Sequence, residues 1–255
     1  MATISEMGDG TYRLSIYVPQ KRISFNQFVI DDDAPALIHT GSYPQYAEVR
    51  EAVAQVVDPK RLAYVVVPHF EGDECGGMGR FVAEAPEAVL VCSLTGGRIN
   101  LANWDYSGPV RGVQDGDVVD LGRHRLRFLE TPHVHHWDSM MAYEETTSGL
   151  FSSDRFIQPD EQPPVVRENL SQAMCAWYQD VGLFGGAFPV LQCVDRIERL
   201  APRWIHPMHG GSLSQQVASN YVQALRAQPF AFDGRLLGRR LPETFPGASQ
   251  GEAQA

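Results

Sequence analysis

Along the first third of the chain, apolar and polar positions follow the pattern of β-structure. "TYRLSIYV", "RISFNQFVI" and "PALIHTG" read as three strands, separated by turn residues at Pro19-Gln20 and Asp31-Asp32-Asp33. In "QYAEVREAVAQVV" the apolar residues move to helical spacing, and the β-branched run "LAYVVVP" after it reads as a buried strand. A second helix is predicted after Gly77, ending before the strand "AVLVCS". "DVVDLG" with "RLRFLET" reads as one hairpin, and "SMMAYEE" with "LFSSD" as another across Thr147-Ser148-Gly149. From residue 165 to 227 the pattern is mostly helical, interrupted by the apolar strand "RWIHP". Strands, helices and hairpins therefore occur twice over, which predicts an α/β fold with two sheets sandwiched between helices. No internal repeat or linker-like break divides the chain. Residues 1–240 are expected to form a single domain, and 241–255, ending in the small and polar "GASQGEAQA", a disordered tail.

Composition narrows the partners. At 255 residues and 44% hydrophobic content the chain is long enough for one sizeable core. The net charge is −10 and the basic residues are scattered, which argues against nucleic acid or an anionic membrane as a partner. The N-terminal "MATISEMGDG" has neither a basic segment nor an apolar one, and no apolar run approaches the roughly 20 residues that cross a bilayer. A cytoplasmic protein is expected. Cys75, Cys92, Cys175 and Cys193 are widely spaced, so buried thiols are expected rather than disulfides; without a C-x-x-C pair there is no rubredoxin-type iron site.

The chemistry concentrates where predicted strands stop. "YVVVPHFEGDECGG" ends a strand on His69, Glu71, Asp73 and Glu74, and three carboxylates within four residues repel one another unless a cation or protons compensate. "ETPHVHHWDSM" places His133, His135 and His136 after a strand with Asp138 close behind; "LFSSDRF" places Asp154, and "WIHPMHGG" places His206 and His209, at two further strand ends. Taken singly, each has a plain structural reading. Beside Trp204 and Ile205, His206 is expected to be packed; Asp154 alone could cap a turn; His124, in a polar hairpin turn, is expected to face solvent.

Taken together, this ordered series resembles the metallo-β-lactamase superfamily over roughly residues 20 to 225, which implies an αββα sandwich with a two-metal site on strand-end loops. Hydrolytic members of that superfamily read His–x–His–x–Asp–His where this chain has Glu71 and Glu74 in the second and last histidine positions. A carboxylate in the second position is the pattern of the flavodiiron proteins, and "HFEGDECGG", "TPHVHHWDSM" and "FSSDRF" look closest to their flavin-free relatives, the oxygen-binding diiron proteins. Ligand chemistry points the same way, because hard anionic carboxylates favour iron or manganese where imidazoles favour zinc.

The resemblance implies that His69, Glu71 and His135 hold one metal, that Asp73 and His209 hold the other, and that Asp154 bridges them. His135 is chosen by its spacing of three to Asp138 and four to Ser139, while His133 and His136 compete for the place, since a one-residue shift would exchange them. Glu74 is either a ligand or an acceptor behind the ligands. Glu74 and His136 are also the residues expected to act on bound oxygen species by orienting ligands or delivering protons. His39, in "LIHTG", stands where the superfamily carries an Asp that braces the metal loop. The implied function is a diiron protein, with two iron ions (zinc or manganese the alternative), that binds and reduces dioxygen or nitric oxide or acts as an oxygen sensor or carrier. No flavin is expected within the chain, electrons would come from a separate donor protein, and a homodimer is expected, with Trp104, Tyr106 and Trp177 as interface candidates. The alternative is a dinuclear zinc hydrolase acting on an ester, thioester or phosphodiester.

Overall fold

The computed structural model describes residues 1–104 and 106–227, so the expected tail at 241–255 lies outside the described residues. Seven strands form one sheet in chain order: β1 (Thr3–Gly8), β2 (Thr11–Val18), β3 (Ile23–Ile30), β4 (Ala36–Ile38), β5 (Tyr64–Val67), β6 (Val89–Ser93) and β7 (Val110–Val113). β1 to β4 are antiparallel neighbours, and β4 to β7 run parallel. A second sheet takes β8 (Val118–Asp120), β9 (Arg125–Glu130), β10 (Met140–Glu144), β11 (Gly149–Ser153), β12 (Val165–Val166), β13 (Trp204–Pro207) and β14 (Ser212–Ser214), in the order β12-β14-β13-β11-β10-β9-β8. There β11/β13 and β12/β14 are parallel pairs and the other pairs are antiparallel. Helices α1 (Tyr46–Ala54), α2 (Gly72–Cys75), α3 (Met78–Glu84) and α4 (Leu94–Asn100) interleave with the first sheet's strands, and α5 (Ser171–Val181), α6 (Ala187–Leu200) and α7 (Gln215–Ala227) follow in the second half.

The two-residue period of a strand decides which layer each side chain joins. In β5, Val65 and Val67 pack with Val49 and Val53 of α1 and Phe81 of α3, whereas Val66 faces the other sheet. Leu90 and Cys92 part from Val91 in the same way. The inner layer brings Phe28, Val66 and Val91 against Leu126, Phe128 and Phe151. On the far face of the second sheet, Leu150 and Ile205 meet Tyr178 of α5, Val194 of α6 and Tyr221 of α7. α6 buries Val190, Cys193, Val194 and Ile197, an i, i+3, i+4, i+7 stripe that needs only one apolar face. The result is the expected pair of mixed sheets flanked by helices.

Besides β1, β7, β12, β14 and the single turn α2, which the pattern did not show, one helix and one histidine depart from the reading of the sequence. α4, "LTGGRIN", contains two glycines and has little intrinsic helix preference; it forms because the Ser93 hydroxyl accepts from Gly96 N at 3.0 Å as an N-cap. A Cβ on Gly96 would lie 2.8 Å from Asp138 Oδ2, so glycine lets the helix approach that carboxylate. The expectation that His124 faces solvent is wrong. His124 is 1% exposed, and both its backbone N and its ring Nδ1 meet Asp32 Oδ2, at 2.8 and 2.7 Å. The polar turn is real, but the acidic loop after β3 folds over it and buries the ring. His206 is packed as expected: its Nδ1 meets Ser212 Oγ at 2.8 Å, and burial, with Arg13 next, brings its pKa down to about 4. All four cysteines are buried. Among the described residues no helix is long and apolar enough to cross a membrane.

Asp32→Ala strips His124 of the acceptor for two buried N–H groups. Such orphaned groups cost about 1–3 kcal/mol, so the variant is expected to unfold at lower denaturant with an unchanged slope. An unchanged midpoint in urea would show that the pair carries no stability.

Candidate metal centre

The loops that carry the chemistry meet at one end of the two sheets, held there by backbone bonds between layers. Met140 N donates to Pro68 O at 3.0 Å and Asn26 N to Met208 O at 2.8 Å, so the ends of β5 and β13 are each tied across to a strand of the other sheet. β5 stops at Pro68, which has no N–H to continue the ladder. His69 and Glu71 follow, and the single turn of α2 then lifts Asp73 and Glu74 in different directions. Phe70 N donates to Asp138 Oδ2 at 3.1 Å, fastening this loop to the histidine loop between β9 and β10. Asp154 leaves the end of β11, and His209 follows β13.

Four of these side chains converge. His69 Nε2 and His135 Nε2 each lie 3.0 Å from Glu71 Oε2, and His135 Nε2 is 2.8 Å and His69 Nε2 3.4 Å from Asp154 Oδ2. One ligand atom from each of His69, Glu71, His135 and Asp154 falls within 4.8 Å of the others, a set able to hold one ion. The second oxygen of Asp154, Oδ1, faces away to His209 Nε2 at 3.1 Å, and Asp73 Oδ2 lies 3.7 Å from the same nitrogen. Asp154 thus presents one oxygen to each group, the geometry of a bridging carboxylate. Of the three neighbouring histidines, His135 is the one whose ring nitrogen meets Glu71 and Asp154. His133 is exposed, with a left-handed backbone at φ 65°. His136 is half-buried, its ring centroid 4.9 Å from that of His69 and 4.7 Å from that of His135, with Nδ1 3.6 Å from Asp138 Oδ1. Glu74 does not face the second group. It is fully buried, accepts from Ser153 Oγ, and sets Oε2 3.0 Å from His69 Nδ1 and 3.4 Å from His39 Nδ1.

The charges show what the cleft attracts. Burial disfavours protonated His69, yet Glu74, Asp154 and Glu71 hold its pKa well above the ordinary histidine value. Burial is likewise outweighed at His135 by Asp154 and Glu71, and at His209 by Asp154, each raised to about 9. Glu71, despite burial, is drawn down to about 2 by His135 and His69. Asp73 moves the other way: burial, and then the charge of Asp154, push it up to about 6, and its Oδ1 has no hydrogen-bond partner. Protons crowd onto the imidazoles because four carboxylates demand positive charge. Metal ligands must be deprotonated, so divalent cations would take the place of those protons. His209 is already oriented for it: its Nδ1 lies 2.8 Å from Ser24 O, leaving Nε2 to face Asp154. The four-residue set fits a cation, with Asp73, His209 and the second oxygen of Asp154 beside it.

Residues 23–210 match the ODP family beta lactamase. The chain belongs to that family. It is 28% identical over 198 residues to a rubredoxin-oxygen oxidoreductase of Megalodesulfovibrio gigas, covering 73% of this chain and 48% of the relative. To a nitric oxide reductase of Moorella thermoacetica it is 30% identical over 138 residues, 53% of this chain and 34% of that protein. The chain thus spans half or less of the length of these relatives. Among solved structures, the rubredoxin oxygen:oxidoreductase of Desulfovibrio gigas superposes with a TM-score of 0.78 at 22% identity over 88% of this chain and 60% of that one. A flavodiiron core from Synechocystis does so with a TM-score of 0.79 at 21% identity over 89% of this chain and 61% of its own. The family placement and the shared fold agree with the resemblance read from the motifs.

Three residues that brace the cleft escaped the motif reading. The guanidinium of Arg155, 3% exposed, donates to Ser152 O at 2.9 Å, to Thr131 Oγ1 and to Val134 O, clamping the histidine loop beside Asp154. Tyr178, from α5, donates its hydroxyl to Asp154 O at 3.2 Å. Ser153 stands between His69 and Glu74. Only their closeness to Asp154 in "SSDR" was visible beforehand, and Tyr178 comes from 24 residues away.

Because Asp154 supplies an oxygen to each group, Asp154→Ala is expected to lose both metals rather than one. Metal analysis of the purified variant tests this; two metals per chain would remove the bridging role.

Proposed function

We propose that this chain is a diiron protein that binds dioxygen or nitric oxide at the paired metal site and reduces it with electrons from a separate donor protein. The observation that carries the reading is Glu71: a carboxylate, not an imidazole, sits between His69 and His135 at 3.0 Å from each. It adds negative charge that favours hard, higher-valent iron over zinc. The relatives named above are an oxygen oxidoreductase and a nitric oxide reductase, which supports the same chemistry. A zinc hydrolase would call for the imidazole that Glu71 replaces.

In this reading His69, Glu71, His135 and Asp154 hold one iron, and Asp73 and His209 share Asp154 with the other. When bound, an iron pair would take electrons from the donor and pass them on to the diatomic ligand. The protein supplies access, orientation and protons. A cavity of about 640 Å³ opens over Glu71, Asp73, Asp154 and His209, lined by Ile23, Phe25, Ile157, Trp177 and Leu183, with Gln20 and Lys21 also in its lining. Those apolar side chains beside the donors suit a small neutral gas. His136, half-exposed against the rings of His69 and His135, is placed to pass protons between solvent and the centre. The reading extends to a cytoplasmic homodimer in which Trp104, 38% exposed, is the leading interface aromatic, because Tyr106 and Trp177 each pack partly against the core. Light scattering at micromolar concentration should give twice the chain mass; a single-chain mass would rule out that assembly.

Glu71→His recreates the imidazole-rich motif. The variant is expected to fold and to keep two metals, to raise its zinc-to-iron ratio relative to wild type grown alongside it, and to lose the visible absorption that oxygen induces in the ferrous form. Identical metal loading and identical oxygen response in both proteins would show that Glu71 does not set the chemistry.

A further inference from the structure

The two halves of the centre are not equally equipped. Four side chains surround the first position, His69, Glu71, His135 and Asp154, of which His69 is 1% and His135 10% exposed. The second has three, Asp73, His209 and the shared Asp154. Asp73 is 26% exposed, and all three line the open cavity; of the first position Glu71, 40% exposed, reaches it too, while its two imidazoles do not. A fourth donor lies next to Asp73 in the chain, but Glu74 is turned the opposite way. Ser153 holds its Oε1, while His69 Nδ1 at 3.0 Å and His39 Nδ1 at 3.4 Å meet its Oε2, all in the interior.

We propose that Glu74, kept inward by Ser153 and His39, is a positioning residue for His69, and that its withdrawal leaves the two metal positions unequal: the first holds its ion firmly, and the second exchanges its ion and ligands through the cavity. This rests on the reading of the centre as a metal pair. The physical argument has two parts. The Glu74 carboxylate stands 3.0 Å from His69 Nδ1, and the Ser153 hydroxyl, 3.1 Å from the same nitrogen, donates to that carboxylate; this negative charge behind Nδ1 keeps the proton there, which leaves the Nε2 lone pair for metal and makes that nitrogen a stronger donor. His209 has the weaker version of this support, its Nδ1 facing the neutral carbonyl of Ser24 at 2.8 Å. A position with three protein donors, one of them shared, keeps coordination sites for water or another exogenous ligand, as open metal sites do. His39 belongs to the device. Its ring is fully buried, its backbone is held in the left-handed region at φ 62°, and its Nδ1 lies 3.4 Å from Glu74 Oε2.

The test is anaerobic titration of the full metal-free chain with cobalt(II), read by visible ligand-field absorption and by competition with a chelator. Oxygen chemistry does not enter, so a failure of the proposed activity is separate from a failure here. Wild type should load in two resolved steps, the second equivalent being the first stripped by chelator. Asp73→Asn should abolish the second step and leave the first. Glu74→Gln should weaken the first step about 10–100-fold, with an altered cobalt spectrum and unchanged circular dichroism, and leave the second in place. Loading of wild type in a single cooperative step, or stripping of both ions together, would overturn the inequality. An unmoved first step in folded Glu74→Gln would overturn the positioning role. If Glu74→Gln does not fold, wild type and Asp73→Asn still decide the inequality, and Ser153→Ala, which removes one anchor of Glu74, decides the positioning: a first step and cobalt spectrum identical to wild type would overturn it.

Discussion

Four carboxylates in one cleft, Glu71, Asp73, Glu74 and Asp154, set the terms for everything around them. Glu74 and Asp154 are buried, and like charges out of water repel strongly unless opposite charge is brought among them. Three imidazoles supply part of it, and their raised affinity for protons is the measure of the demand. Asp73, pushed up to about 6 by burial and by Asp154, is where the imidazoles no longer suffice. A cleft of this kind is stable in two ways only, with protons or with cations, and its donors are spaced for cations.

The scaffold answers that demand by convergence. Neither sheet could supply the cleft alone: His69, Glu71 and Asp73 follow the first sheet, and His135, Asp154 and His209 follow strands of the second. The layers are locked where the loops leave them, by Met140 to Pro68 and Asn26 to Met208, so loop residues inherit the rigidity of the core. Arg155 lies beside Asp154 in the chain, and its donors go to the carbonyl of Val134 and the hydroxyl of Thr131 rather than to the carboxylates. The clamp shapes the histidine loop without competing with a metal for its ligands.

Two of the three places where the motif departs from the hydrolytic superfamily pattern prove to be neighbours. His39 and Glu74 are 35 residues apart in sequence and face each other at 3.4 Å in the interior. Where the resemblance leads one to expect an acid bracing the loop and a histidine on the metal, this chain has an imidazole in the brace and an acid behind His69. The exchange keeps an acid–imidazole contact beneath the centre and alters which side of it the metal sees.

Local pattern was enough for the layers. The apolar runs of β5 and β6, the helical spacing of the segment that holds α6 and the two hairpins of the second sheet are properties of neighbouring residues, legible because each pattern is written within one element. The site's membership was legible for a similar reason, since ligands gathered at strand ends leave short dense motifs. What the sequence could not decide was direction and partnership. It left His133, His135 and His136 as rivals, placed His124 in solvent, and left Glu74 as either ligand or support. Each of those depends on which side chain a distant segment brings against it: Asp154 and Glu71 against His135, Asp32 over His124, Ser153 and His39 against Glu74. Spacing along a chain names the residues that can meet, but only the packing of two sheets selects which nitrogen faces which oxygen.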